Sequence, residues 1–145
     1  MPKTFKALTL WQPWASYMAE GLKCYETRSW HPGNRLHVGE IVMIHAAKRW
    51  DRNLQSTHQY LRSCHPELAG VEITDFGVIV GAFKFLGAHP TDALRHKLLE
   101  LELAMGDFSQ GRYGWHFELI KRAVPPVPAT GQQGVWRWSN ESESE

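Results

Sequence analysis

The 145-residue chain has little cysteine, and its two cysteines are spaced for no common job. Cys24 and Cys64 stand alone with no Cys-x-x-Cys pair, which argues against a zinc ribbon and against a disulfide framework. Phosphate-cradling glycine loops are missing too: there is no Gly-x-x-x-x-Gly-Lys and no Gly-x-Gly-x-x-Gly. Neither Gly-x-Ser-x-Gly nor His-Glu-x-x-His occurs, which argues against a serine-hydrolase elbow and a zinc-protease helix. The eight histidines lack metal-ligand spacing, so neither metal nor cofactor is expected. No apolar run approaches the length of a membrane span, and MPKTFKALTL lacks the apolar core of a signal peptide; a cytoplasmic protein with no membrane partner is expected.

Net charge is also nearly absent, at +1, so the molecule as a whole does not advertise a polyanion partner. Its distribution says more. Residues 1–53 carry eight Lys and Arg against four acids, and the segment 139–145, SNESESE, carries three glutamates and no base. A mildly basic front half behind an acidic, solvated tail is compatible with nucleic acid. Tryptophan is what the chain has in excess, seven in all. Indoles fill cores, and they also stack on bases.

The length suits one domain, here residues 1–138, with 139–145 as a disordered tail. Residues 6–10 are predicted as a strand, and Pro13 suits the first turn of a helix that ends at Gly21. Residues 23–30 read as extended, 40–47 as a strand, 49–64 as a helix and 76–87 as a mostly buried strand. Thr91 can cap a helix ending before Gly106. Trp115 to Lys121 alternates as a strand, AVPPVPAT is an extended connector, and 134–138 is a last strand. Five or six short strands with two or three helices imply an α+β domain built on a small, strongly curved sheet or barrel.

Three segments hold side chains suited to chemistry. In an extended 23–30, Glu26, Arg28 and Trp30 face one way and Lys23, Tyr25 and Thr27 the other. Glu26 and Arg28 are then either an exposed ion pair of little worth or, with Lys23, the lining of a cleft between helix and sheet. His45 and Lys48 close a buried strand, where sites often sit; a strand histidine also serves simply as a satisfied core residue. GDFSQGRYGW, residues 106–115, sets Arg112, Tyr113 and Trp115 among glycines, either as a turn into a strand or as a loop that approaches a phosphate closely.

The segment LTLWQPWASYMAEGLKCYETRSW, residues 8–30, resembles the ASCH family (activating signal cointegrator homology) of the PUA-like superfamily. Gln12-Pro13-Trp14-Ala15 is similar to the start of that family's first helix, and Gly21-x-Lys23-x-x-Glu26-x-Arg28 to its Gly-x-Lys-x-x-Glu-x-Arg motif. The resemblance continues through 44–48, 106–115 and 128–138. It implies a small PUA-like β-barrel with a cleft beside the first helix, and either RNA or DNA binding or an enzyme. One bacterial branch removes the acetyl group of N4-acetylcytidine with a Lys, a Thr three residues later and a Glu on a later strand; another member is linked to ribonuclease activity. Lys23 matches that lysine, but Glu26 stands at the threonine position, and GVIVGAFKFLGA holds no acid. As an enzyme the chain would use Lys23 and Glu26. The leading expectation is a module for RNA, single-stranded nucleic acid or a modified nucleotide. Gln12, Trp14, Lys23, Glu26, Arg28, His45, Lys48, Arg112 and Trp115 are its candidate contacts, with Trp14 or Trp115 stacking and Glu26 accepting from an exocyclic amine. A regulatory domain holding a peptide or small ligand is the third possibility.

Overall fold

A computed structural model describes residues 3–140. Six strands form one sheet: β1 (Lys3–Leu10), β2 (Tyr25–Arg28), β3 (Ile41–Ala46), β4 (Val78–Pro90), β5 (Tyr113–Pro128) and β6 (Val135–Asn140). Their order is β2-β5-β4-β3-β1-β6, with β1 and β3 parallel and every other pair antiparallel. Register shifts interrupt the β3–β4 pairing once and the β4–β5 pairing three times. Bulges of this kind raise the local twist and bend a strand, so the sheet curls. The curl is deep: Arg28 on β2 donates from Nη2 to the Thr9 carbonyl of β1 at 3.0 Å, across four places in the strand order. The fold is therefore the α+β, PUA-like half-barrel that the motifs implied.

Alternate residues of β1 and β3 fill the inside, Leu8 and Leu10 beside Val42 and Ile44, and they meet Phe83, Phe85 and Phe117 from the long pair β4–β5. The helix α1 (Trp14–Ala19) is buried along almost its whole length and packs against β1, β3, β4 and β5. A second apolar cluster, with Tyr17, Leu61, Leu68, Val71 and Met105, fixes α2 (Arg52–Cys64) beyond α1. Asp51 starts α2 by accepting from the N–H groups of Asn53 and Leu54, which is why the helix begins at 52 and not at 49.

Three expectations need correction. The expected helix after Thr91 is broken into α3 (Thr91–Leu94) and α4 (Glu100–Ala104), and the Thr91 hydroxyl caps nothing: it donates toward the carbonyls of Ser109 and Arg112. The proline-rich 123–128 is no connector but the end of β5, with Val127 and Pro128 registered on Ile79 and Val78. Proline is tolerated there because β2 pairs only as far as His116, so the other flank of β5 needs no N–H donors. β6 runs through Ser139 and Asn140, two residues past the expected end of the domain; residues 141–145 of the acidic tail lie outside those described.

Candidate nucleic-acid-binding cleft

The site begins with how α1 stops. Gly21 takes φ +76°, its N–H donates to the Met18 carbonyl, and the N–H of Leu22 donates to that of Tyr17. This is a Schellman end, a geometry that favours glycine because the left-handed region crowds any Cβ. The turn reverses the chain so that Lys23 points back beneath the helix. Lys23 is 2% exposed, its Nζ donates to the Met105 carbonyl at 2.6 Å, and the ammonium lies 5.4 Å from the centre of the Trp14 ring. Burial pushes its pKa below the usual lysine value, with Glu26 and Glu102 pulling the other way. An ammonium has three donors, and among the described residues only one of these is used.

Glu102 of α4 is the support under this turn. Its carboxylate accepts from the N–H of Cys24 at 2.9 Å and of Tyr25 at 3.3 Å, the groups that lead from Lys23 into β2. Burial raises its pKa, against the opposing pull of Lys23 and those two N–H groups. Next along β2, Arg28 Nε meets Glu26 Oε2 at 3.1 Å, with both side chains largely covered. The Arg28 guanidinium also lies 5.8 Å from the centre of the Trp115 ring. The pair is therefore a covered ion pair, not an exposed one, and it lines the cleft.

His45 looks toward the same space but is fully committed. Its Nε2 bonds the Ala129 carbonyl at 2.7 Å, and a carbonyl only accepts, so Nε2 carries the proton and Nδ1 accepts from the Thr9 hydroxyl at 3.2 Å. Thr9 in turn accepts from Trp136 Nε1 at 3.0 Å. Burial pushes the pKa of the imidazole down, opposed by the Ala129 carbonyl, which favours the neutral tautomer just described. The histidine acts as a latch for the loop 129–134. A Cβ on Gly131 would stand 2.7 Å from the His45 ring and 2.8 Å from Thr9 Oγ1, so the latch needs a residue with no side chain there.

These parts surround an open cleft of about 1580 Å³. Lys23, Glu26 and Arg28 line its inner part, Trp11, Trp14, Trp30 and Phe76 give it aromatic walls, and Lys48, Arg49 and Arg112 complete its positive charge. Five cations face two anions, Glu26 and Asp107, and each of these is beside an arginine. Asp107 is held below the usual carboxylate range first by bonds from Ser109, then by Arg112. Residues 8–123 match the family model for the ASCH domain. The chain belongs to the ASCH domain family. A comparison with curated proteins finds no match. Among the described residues, no helix of this ASCH domain is long and apolar enough to cross a membrane, and no three His, Cys, Asp or Glu converge as a metal group.

Of the residues singled out in the sequence, Trp14, Lys23, Glu26, Arg28, His45, Lys48 and Arg112 come together at the cleft. Gln12 and Trp115 do not reach its surface; both are 0% exposed. Gln12 braces α1, accepting from the Ser16 N–H and donating to the Ser16 hydroxyl and the Asp75 carbonyl. Trp115 lies behind the wall, its indole N–H on the Trp30 carbonyl and its ring edge-on to Trp30, so it offers no stacking face. Three further residues line the cleft that the sequence pattern did not single out, Trp11, 44% exposed, Thr27 and Arg49, and Glu102 beneath it was not singled out either. Thr27 lines the cleft although it alternates with Glu26 along β2. A signal for Glu102 existed: Leu99, Leu101 and Leu103 recur every second residue, a spacing that one helical face cannot bury.

Proposed function

We propose that this ASCH domain binds single-stranded RNA, with one base entering the cleft and its backbone following the rim. The observation that carries this is Lys23: a buried ammonium with donors to spare, beside a carboxylate already aligned by an arginine. Such a floor offers donors and an acceptor side by side, which is what the edge of a nucleobase requires. Glu26 Oε1 is left to accept from an exocyclic amine, Trp11 and Trp14 supply ring faces, and Lys48, Arg49 and Arg112 meet phosphates. The test is a fluorescence anisotropy titration of a labelled ten-nucleotide RNA over a salt series. Wild type should bind with a falling log K as log salt rises, and Lys23→Met should bind at least tenfold more weakly with its melting curve intact. Equal affinity of the two proteins would overturn the reading.

A second reading is hydrolysis of a modified nucleoside. It is favoured by the presence of Lys23, Glu26 and Thr27 among the residues that line the cleft. The Thr27 hydroxyl oxygen accepts from the Asp107 N–H at 3.1 Å, which leaves its own proton to give. Turnover of N4-acetylcytidine by wild type, absent in Lys23→Ala, would establish this chemistry; no product from the wild type would remove it.

A further inference from the structure

A second, smaller cavity of about 210 Å³ opens between Lys6, Arg35, Val135, Trp136 and Arg137. It adjoins the main cleft along two routes. Gly134 lines the cleft and its neighbour Val135 lines the small cavity; Trp30 lines the cleft, and the Arg35 guanidinium lies over its ring at 5.4 Å from the centre. Lys6 is already engaged, donating to the Arg35 carbonyl at 2.6 Å and to Glu40 at 3.0 Å. That bond also fixes the backbone from which Arg35 projects. Arg35 and Arg137 are exposed and make no ion pair among the described residues. β1 and β6 set Lys6 opposite Arg137, so the three cations share one face.

Size decides what these arginines can hold. The small cavity is below the roughly 300–1,000 Å³ that small-molecule pockets usually span, whereas the main cleft exceeds that range. A nucleobase suits the cleft; a phosphate, recognised by the arginine fork, suits the small cavity. We propose that the cavity at Arg35 and Arg137 is a phosphate site. A single strand held by a base in the cleft passes over Trp30 and lays a neighbouring phosphate there. This rests on the proposed RNA-binding function and extends it: the ligand is an oligonucleotide, not a lone nucleotide.

The experiment compares wild type with Arg35→Gln/Arg137→Gln against two probes, the labelled ten-nucleotide RNA and cytidine 5′-monophosphate read by tryptophan quenching. The double variant should bind the RNA about tenfold more weakly, with the salt slope shallower by about 0.7, the share of one phosphate on a single strand. Its affinity for the mononucleotide should equal that of wild type. RNA affinity and slope unchanged in the double variant would overturn the phosphate site while leaving RNA binding in the cleft intact. Equal weakening toward both probes would overturn it as well, since Arg35 would then act by positioning Trp30. Wild type that binds neither probe would overturn the function and this extension together.

Discussion

The floor and the rim of the cleft hold the same kinds of charge in opposite ways. On the floor every group already has a partner that fixes its place: Lys23 the Met105 carbonyl, Arg28 Glu26 and the Thr9 carbonyl, and the backbone between them Glu102. On the rim Lys48 and Arg49 are exposed and make no ion pair among the described residues. Arg112 stands between, tied through Nε and Nη2 to the carbonyls of Asp107 and Thr27. Committed groups pay their ordering before a ligand arrives and so discriminate between ligands; free cations attract any polyanion and are screened by salt. The floor is built for choice and the rim for attraction.

Breaking the floor from below should have the largest effect. Glu102→Ala leaves the N–H groups of Cys24 and Tyr25 without their acceptor, and should cost about 3 kcal/mol of stability by denaturant unfolding. Glu102→Gln keeps one accepting oxygen and should lose markedly less. Lys23→Met attacks the floor from within and should separate affinity from stability. Binding should fall tenfold or more, while unfolding free energy moves by no more than about 1 kcal/mol, because relief of a buried charge offsets the lost bond to Met105.

On the rim, Lys48→Ala/Arg49→Ala should weaken RNA binding a few-fold at low salt, flatten the salt slope by about 1.4 and leave the melting temperature unchanged. A double variant that instead changed base preference at constant slope would contradict the division between floor and rim. The smallest effect concerns the latch. The pKa of His45 is depressed by burial, so as pH falls below about 6.5 the unfolded chain takes up a proton that the folded one resists. Stability is thereby lost on acidification, and His58 and His116 shift in the same direction for the same first reason, burial. His45→Gln should start from a lower melting temperature but show a shallower decline between pH 7.5 and 5.

What the sequence revealed depended on whether the information was local. Gly21 and the lysine two residues later were legible because a glycine after an amphipathic turn ends a helix in one way. The strands in 40–47 and 76–87 were legible from apolar β-branched runs that the core then buries. Trp115 was misplaced because an indole is equally at home in a core and on a surface, and only the neighbours on β2 and the Trp30 carbonyl decide between them. Gln12 was misplaced for the same reason: its partner Asp75 lies 63 residues away. Glu102 could not be tied to Lys23 before the break between α3 and α4 was known, since an unbroken helix would aim it elsewhere.

The turn at Gly21 separates two tasks that many sites leave entangled. It is secured by backbone bonds at Met18 and Tyr17, and the strand that follows by backbone bonds to β5 and to Glu102. None of these contacts depends on which side chains stand at 26 or 28. The cleft is thus a socket whose contacts can be exchanged without rebuilding the mount. Replacing Glu26 and Arg28 by other pairs that satisfy one another should change what the cleft prefers while leaving the fold intact, a practical starting point for redesigning its contacts.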